Sequence, residues 1–209
     1  MKLYLTTIGI SMLIISAVNL LIGAASWYYI LIAVVWCTAF QFAVDGSLAF
    51  LINKMPDRWF GADNPLYRVS EAEKKLYRKL RVKFWKDKVW ELGGLGGFSK
   101  KGLKEPTNPK YIEKFIIECN KGVVTHRLSY PIGFLAMLTV DGLCAFTIAL
   151  PIAVVNVFLN VLPTLVLRYN TPLLQKLLQL GYRIYFPVLP YSGGKASHAK
   201  PYVLVLLYF

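Results

Sequence analysis

Residues 131–167 read PIGFLAMLTVDGLCAFTIALPIAVVNVFLNVLPTLVL and carry a single charge, Asp141. A helix needs roughly 20 apolar residues to cross the hydrocarbon of a bilayer. The stretch is therefore two minimal spans joined at about Pro151, or a shallower re-entrant hairpin, and two spans is the expectation. Upstream, residues 3–25 (LYLTTIGISMLIISAVNLLIGAA) carry no charge, and residues 27–52 (WYYILIAVVWCTAFQFAVDGSLAFLI) carry only Asp45. Both are long enough to cross. Trp27, Tyr28 and Tyr29 sit at the short connection, as an aromatic belt does. Lys2 and Gly23-Ala24-Ala25 give the first stretch some likeness to a signal peptide. Its apolar run exceeds the usual h-region of roughly 7–15 residues, so a span is expected.

The charges sort around these stretches. The chain of 209 residues has 24 Lys+Arg and 11 Asp+Glu, a formal net charge of +13, yet is 56% hydrophobic and 14% aromatic. Nucleic-acid binding would explain the charge but not the apolar content. A disordered basic tail would lack the aromatics. Three cysteines exclude a disulfide-stapled module. Residues 54–127 hold 18 of the bases and 9 of the acids; the other bases are Lys2, Arg168, Lys176, Arg183, Lys195 and Lys200. An even number of spans puts both termini on the side of this loop, and the positive-inside rule makes that side cytoplasmic. The expected fold is an all-α integral membrane protein of about four transmembrane helices with a basic amphipathic-helical cytoplasmic loop. Its segments are a hairpin over 1–53, an interfacial region over 54–130, a transmembrane or re-entrant hairpin over 131–168, and a cytoplasmic or interfacial tail over 169–209.

Only Asp45 and Asp141 leave the loop, and both enter apolar stretches. A carboxyl at membrane depth costs about 2.5–3.5 kcal/mol on insertion scales, so it is protonated, paired or facing a polar cavity, and is a functional candidate. Asn19, Ser16, Gln41, Asn156 and Asn160 share these stretches, and helix–helix hydrogen bonding is the expectation for the amides.

Within the loop, residues 71–92 alternate bases with Leu76, Leu80, Phe84, Trp85, Val89 and Leu92 on two displaced stripes. Two short amphipathic helices bent near Arg81–Val82 are expected, lying on anionic lipid. Residues 93–104, GGLGGFSKKGLK, can turn flexibly or cradle phosphate through backbone N–H groups, although the Gly-Lys-Ser/Thr ending of nucleotide-hydrolase loops is missing. Asn108 can cap a helix with Pro109 at its first position. Ile112, Phe115, Ile116, Cys119, Val123 and His126 then share one face, with Lys110, Lys114 and Lys121 opposite. His126 falls at the water–lipid boundary. A structural role is one reading; the other is a general base, since histidine titrates near neutrality. No metal site is expected, because His126 and Cys119 lack a paired-ligand motif.

The blocks MPDRWF (55–60), LYRKLRVKFWKD (76–87), GGFSKKGL (96–103), YIEKFIIECNKGVVTHR (111–127) and NVLPTLVLRYNTP (160–172), in that order, resemble the glycosyl-4,4'-diaponeurosporenoate acyltransferase family. These are small bacterial membrane enzymes known from the last step of staphyloxanthin synthesis. The resemblance covers about residues 51–175. It implies transfer of a fatty acyl chain to a sugar hydroxyl of a carotenoid glycoside, and it carries over Arg58, Trp85, Lys86, Lys100, Glu118, His126, Asn160, Arg168, Tyr169 and Asn170. The family often has an acid three residues before the histidine and Trp directly after it; here those positions hold Val123 and Arg127.

The expected activity is acyl transfer to a hydroxyl of a membrane-embedded lipid or glycolipid in the bacterial plasma membrane. His126 would take the hydroxyl proton, and Glu118, Asp45 or Asp141 would orient or stabilise it. Gly96, Gly97, Ser99, Lys100, Lys101 and Arg168 would hold the phosphates of the acyl donor. That donor, acyl-coenzyme A or an acyl carrier, is a co-substrate, and no bound cofactor is expected. Expected partners are membrane lipids and an anionic lipid surface, not nucleic acid. The alternative is a non-enzymatic binding or transport protein whose Asp45 and Asp141 line one cavity.

Overall fold

A computed structural model of the chain describes residues 2–89 and 103–185. Among these residues every regular element is helical: α1 (Lys2–Leu21), α2 (Trp27–Asn53), α3 (Glu71–Lys79), α4 (Val82–Trp85), α5 (Pro109–Gly133) and α6 (Leu150–Tyr185), with short 3-10 turns and one π-helical segment between them. Three helices are long and apolar enough to cross a membrane: Leu3–Leu21, Trp27–Asn53 and Ala145–Gly181. The glycine-rich segment that holds Gly96, Gly97, Ser99, Lys100 and Lys101, and the chain beyond Tyr185, lie outside the described residues.

The chain groups into two units, residues 1–55 with 122–164, and residues 56–121 with 165–209. In the first, α1 ends where Gly23 takes φ +61° and Ala24 N–H bonds back to Asn19 O at 3.1 Å. That left-handed stop favours glycine, which has no Cβ to clash. α2 follows at once, with Trp27 and Tyr28 exposed. The large side chains on the outer faces of α1 and α2, such as Leu13, Ile14, Ile32 and Val35, are also exposed. Buried between the elements are Ile15, Ile30, Ala33, Val34, Cys37, Ala136, Cys144, Ile148 and Ala149. The bundle is thus apolar on its outer faces as well as inside, with Ala33, Cys37, Ala136, Cys144 and Ala149 interleaved among the buried Ile and Val, as suits a lipid-facing bundle whose helices associate through close packing rather than through escape from water.

The stretch 131–167 turns at a different place from the one expected. α5 continues through Pro131 to Gly133 and passes into a 3-10 segment, Phe134–Thr139. The chain then reverses at residues 140–142, where Gly142 takes φ +56°. Pro151 is not the joint; it is the second residue of α6. A proline inside a helix frees the carbonyl four residues earlier, since it has no N–H to offer. Side chains of α1 take up two such carbonyls. Asn19 Nδ2 donates to Thr147 O at 2.9 Å, and Tyr4 Oη donates to Leu159 O at 3.3 Å. Those carbonyls lie four residues before Pro151 and Pro163. α1 thus runs antiparallel to this part of α6 and replaces the hydrogen bonds that Pro151 and Pro163 cannot make, where lipid offers no substitute.

In the second unit, α3 and α4 are separated by Arg81, whose φ of +51° breaks the helix. Ser70 and Glu73 form a reciprocal capping box at the start of α3, which satisfies two end-of-helix donors. Asn108 caps α5 through Lys110 N–H at 3.1 Å. Ile112, Phe115, Ile116 and Cys119 are buried along its apolar stripe. Lys121, expected on the solvent side, is buried instead. Its ammonium pairs with Asp57 at 2.5 Å and sits over the Phe60 ring, and hydrogen bonding from Lys121 lowers the pKa of Asp57.

Because Asn19 replaces a bond that Pro151 removes, their effects on stability are coupled. Asn19→Ala is expected to cost about 1–2 kcal/mol of unfolding free energy. In a Pro151→Ala background the cost falls toward zero, since residue 151 can then donate to Thr147 O. A double-mutant cycle in lipid nanodiscs checks this; strict additivity contradicts it.

Candidate active site

The polar residues of the first unit converge along α2, α5 and α6. On α2, Gln41 and Asp45 are four apart. On α5, His126 and Tyr130 are four apart and Gly133 follows. On α6, Asn156, Asn160 and Thr164 repeat every four. Such spacing puts each set on one helical stripe. His126 Nδ1 lies 2.6 Å from Asn160 Oδ1. Asn160 Nδ2 faces Asp45 Oδ2 at 3.2 Å, Asn156 Oδ1 at 3.0 Å and Asn156 O at 3.1 Å. Asn156 Nδ2 donates to Gln41 Oε1 at 3.0 Å, and Gln41 Nε2 donates to Gly133 O at 2.9 Å. Tyr130 Oη donates to Thr164 Oγ1, which donates to Asn160 O, both at 2.9 Å.

Asn160 is 4% exposed and His126 half-buried. Asp45 is half-buried, and its second oxygen is shielded from solvent and has no hydrogen-bond partner among the described residues. A partly buried imidazole held by an amide, with a carboxylate beyond it, is suited to accept and release a proton. The amide fixes the ring, and the carboxylate favours the imidazolium when it forms.

The other candidate residues lie elsewhere. Asp141 is exposed in the turn, and its N–H donates to Tyr29 Oη at 3.2 Å. Tyr29 and Asp45 are 16 residues apart on α2, roughly 24 Å along the helix, so the two aspartates do not line one cavity. In the second unit, Glu118 pairs with Lys114 at 3.9 Å. Arg58 is exposed. Trp85 donates its indole N–H to Leu80 O at 2.9 Å. Lys86 is buried, and desolvation lowers its pKa.

Arg168 is 4% exposed and engaged by the protein itself. Its guanidinium bonds Glu73 at 2.7–3.2 Å through two nitrogens, and carbonyls Tyr67 O at 2.9 Å and Arg68 O at 3.0 Å. Tyr77 Oη adds a bond to Glu73 at 3.0 Å, and Tyr169 packs edge-on against the Tyr77 ring. Asn170 Oδ1 is buried with no hydrogen-bond partner among the described residues. Glu73 is absent from the residues that sequence reasoning selects; the one local signal for it is Ser70-x-x-Glu73, the spacing of a capping box.

Burial works to raise the Glu73 pKa, but hydrogen bonds from Arg168, Ser70 N–H and Tyr77 outweigh it and hold the carboxyl below its usual value. A carboxylate with a depressed folded-state pKa contributes stability above its unfolded pKa, about 4.3, and loses it as pH falls through the lower folded value. Wild-type protein should therefore lose more stability between pH 7 and pH 3 than Glu73→Gln does. At pH 7, Glu73→Gln should cost about 2–4 kcal/mol, because it leaves a buried guanidinium short of its counter-ion. Chemical denaturation at the two pH values checks both statements.

Residues 56–180 match the family model for glycosyl-4,4'-diaponeurosporenoate acyltransferase. No curated protein and no solved structure matches the chain. The match takes in more than half of the chain, including His126, Asn160 and Arg168, and the chain belongs to the glycosyl-4,4'-diaponeurosporenoate acyltransferase family.

Proposed function

We propose that the chain transfers a fatty acyl group to a hydroxyl of a glycosylated or other lipid acceptor at the cytoplasmic face of the bacterial plasma membrane. The observation that carries this reading is the 2.6 Å contact of His126 with Asn160, which Asp45 backs at 3.2 Å. His126 takes the proton of the acceptor hydroxyl as its oxygen attacks the acyl carbonyl. The thiol of the donor leaves and receives the proton. Asn160 holds the ring, and the Asp45 charge favours the transient imidazolium. Asp45 thereby fills the place that the family's acid three residues before the histidine leaves vacant at Val123, a buried core residue here. The donor is acyl-coenzyme A or an acyl carrier. Its phosphates fall to the glycine-rich segment and its lysines, since Arg168 is closed by Glu73 and two carbonyls.

The topology in this reading is four crossings with both termini cytoplasmic. Tyr29 Oη bonds the Asp141 N–H at 3.2 Å, and Trp36 Nε1 bonds Thr139 Oγ1 at 3.0 Å. The reversal at 140–142 therefore sits beside the α1–α2 connection, as expected for two hairpins whose turns share the outer face. The bases of residues 54–127 then face the cytoplasm and anionic lipid.

Purified protein supplied with acyl-coenzyme A and a glycolipid extract should form an acylated lipid. His126→Ala should slow transfer by about 10²–10⁴-fold, the usual contribution of a general base. Transfer at the wild-type rate by that variant, measured by mass spectrometry of the lipids, excludes His126 as the base.

A further inference from the structure

The tautomer of His126 is legible from groups well away from it. An amide side chain can be turned either way, but a backbone carbonyl only accepts and an ionised carboxylate only accepts. Gly133 O accepts from Gln41 Nε2, so Gln41 Oε1 faces Asn156. Asn156 must then present Nδ2 to Gln41 and Oδ1 to Asn160. Asn160 in turn presents Nδ2 to Asn156 and Asp45, which leaves Oδ1 for His126. Reversing the series would set acceptor against acceptor at Gly133 O, and again at Asp45 and Asn156 O. Gly133 and His126 are seven residues apart on α5, roughly 10 Å along its axis, and three amides in series carry the polarity between them.

We propose that the series Gln41–Asn156–Asn160, anchored on the Gly133 carbonyl, fixes neutral His126 as its Nδ1–H tautomer. Gln41 and Asn156 are then positioning residues that keep Nε2 unprotonated for the acceptor hydroxyl. This rests on the reading of His126 as general base, but the tautomer itself does not depend on it. Gly133 has a part of its own. A Cβ there would meet Gln41 Oε1 at 2.6 Å and Asn156 Nδ2 at 3.3 Å. The lack of a side chain is what lets the Gln41 amide reach the carbonyl. Gly133 is helical, with φ −56°, so Gly133→Ala strains no backbone and displaces only the amide.

The test is the ¹⁵N spectrum of the full chain in lipid nanodiscs, labelled at histidine. A His198→Gln background leaves His126 as the single histidine. The neutral ring is expected to show a protonated Nδ1 and an unprotonated Nε2. Gln41→Met, which neither donates an N–H nor offers an oxygen, and Gly133→Ala should both populate the Nε2–H form. Each should lower kcat by about tenfold with KM unchanged, since a base in the wrong tautomer is lost from the transition state only. An Nε2–H wild-type ring overturns the proposal, and the wild-type spectrum alone is enough to show this if a variant does not fold. Variants that keep the Nδ1–H form overturn the role of Gln41. A His126→Ala protein that still transfers acyl groups overturns the catalytic reading instead and leaves the tautomer result standing.

Discussion

Lipid has nothing to offer a bare carbonyl or amide, so each polar group that enters the bilayer needs a partner inside the protein. α6 makes this requirement acute. Its first half carries Pro151 and Pro163, each of which frees a carbonyl, and Asn156, Asn160 and Thr164 between and after them. The freed carbonyls are met from α1 by Asn19 and Tyr4. The side chains are met from α2 and α5 by Gln41, Asp45, Tyr130 and His126. One rule, satisfaction of polar groups without water, therefore accounts both for the docking of α1 and for the assembly of the site. Pro151 and Pro163 bring in the helix whose side chains meet their freed carbonyls, and the amides bring in the helices that carry Asp45 and His126.

The second unit meets the same rule with charge. Arg168 is buried, and a buried guanidinium is tolerated when its donors are engaged and its charge is matched. Glu73 supplies the charge, and two carbonyls take further donors. Glu73 also caps its own helix through Ser70, so one carboxyl closes a helix end and neutralises an arginine nearly a hundred residues away. Sequence alone suggests a phosphate for the same arginine. A guanidinium suits either partner, and only its surroundings distinguish them.

The periodicity along α5 is legible in the sequence because burial follows helical spacing: Ile112, Phe115, Ile116 and Cys119 are all buried. Lys121 departs from the pattern because Asp57, 64 residues earlier, lies close enough to pair with it. The turn falls at residues 140–142 and not at Pro151. Proline is the louder signal in a sequence, yet Pro151 lies within a continuous helical run and is tolerated there because Asn19 takes up the carbonyl that it frees. Gly142, with its positive φ, is the better guide to a reversal. Each polar stripe of the site can be read separately as residues four apart. Asp45 and Asp141 look equivalent as lone acids in apolar runs, and nothing local separates the one beside Asn160 from the one in an exposed turn.

The sequence by itself determined that this is a helical membrane protein with a basic segment between apolar ones, and which family it belongs to. Those properties rest on composition, period and motif order, which are local along the chain. The tertiary structure decided which polar residue meets which. Hydrogen bonding acts over about 3 Å, and the partners of His126, Asn160, Asn19 and Arg168 lie 34 to 128 residues away in sequence. Only the packing of the helices brings such groups within that distance, and so only the fold separates an amide that holds a histidine from an amide that holds a helix.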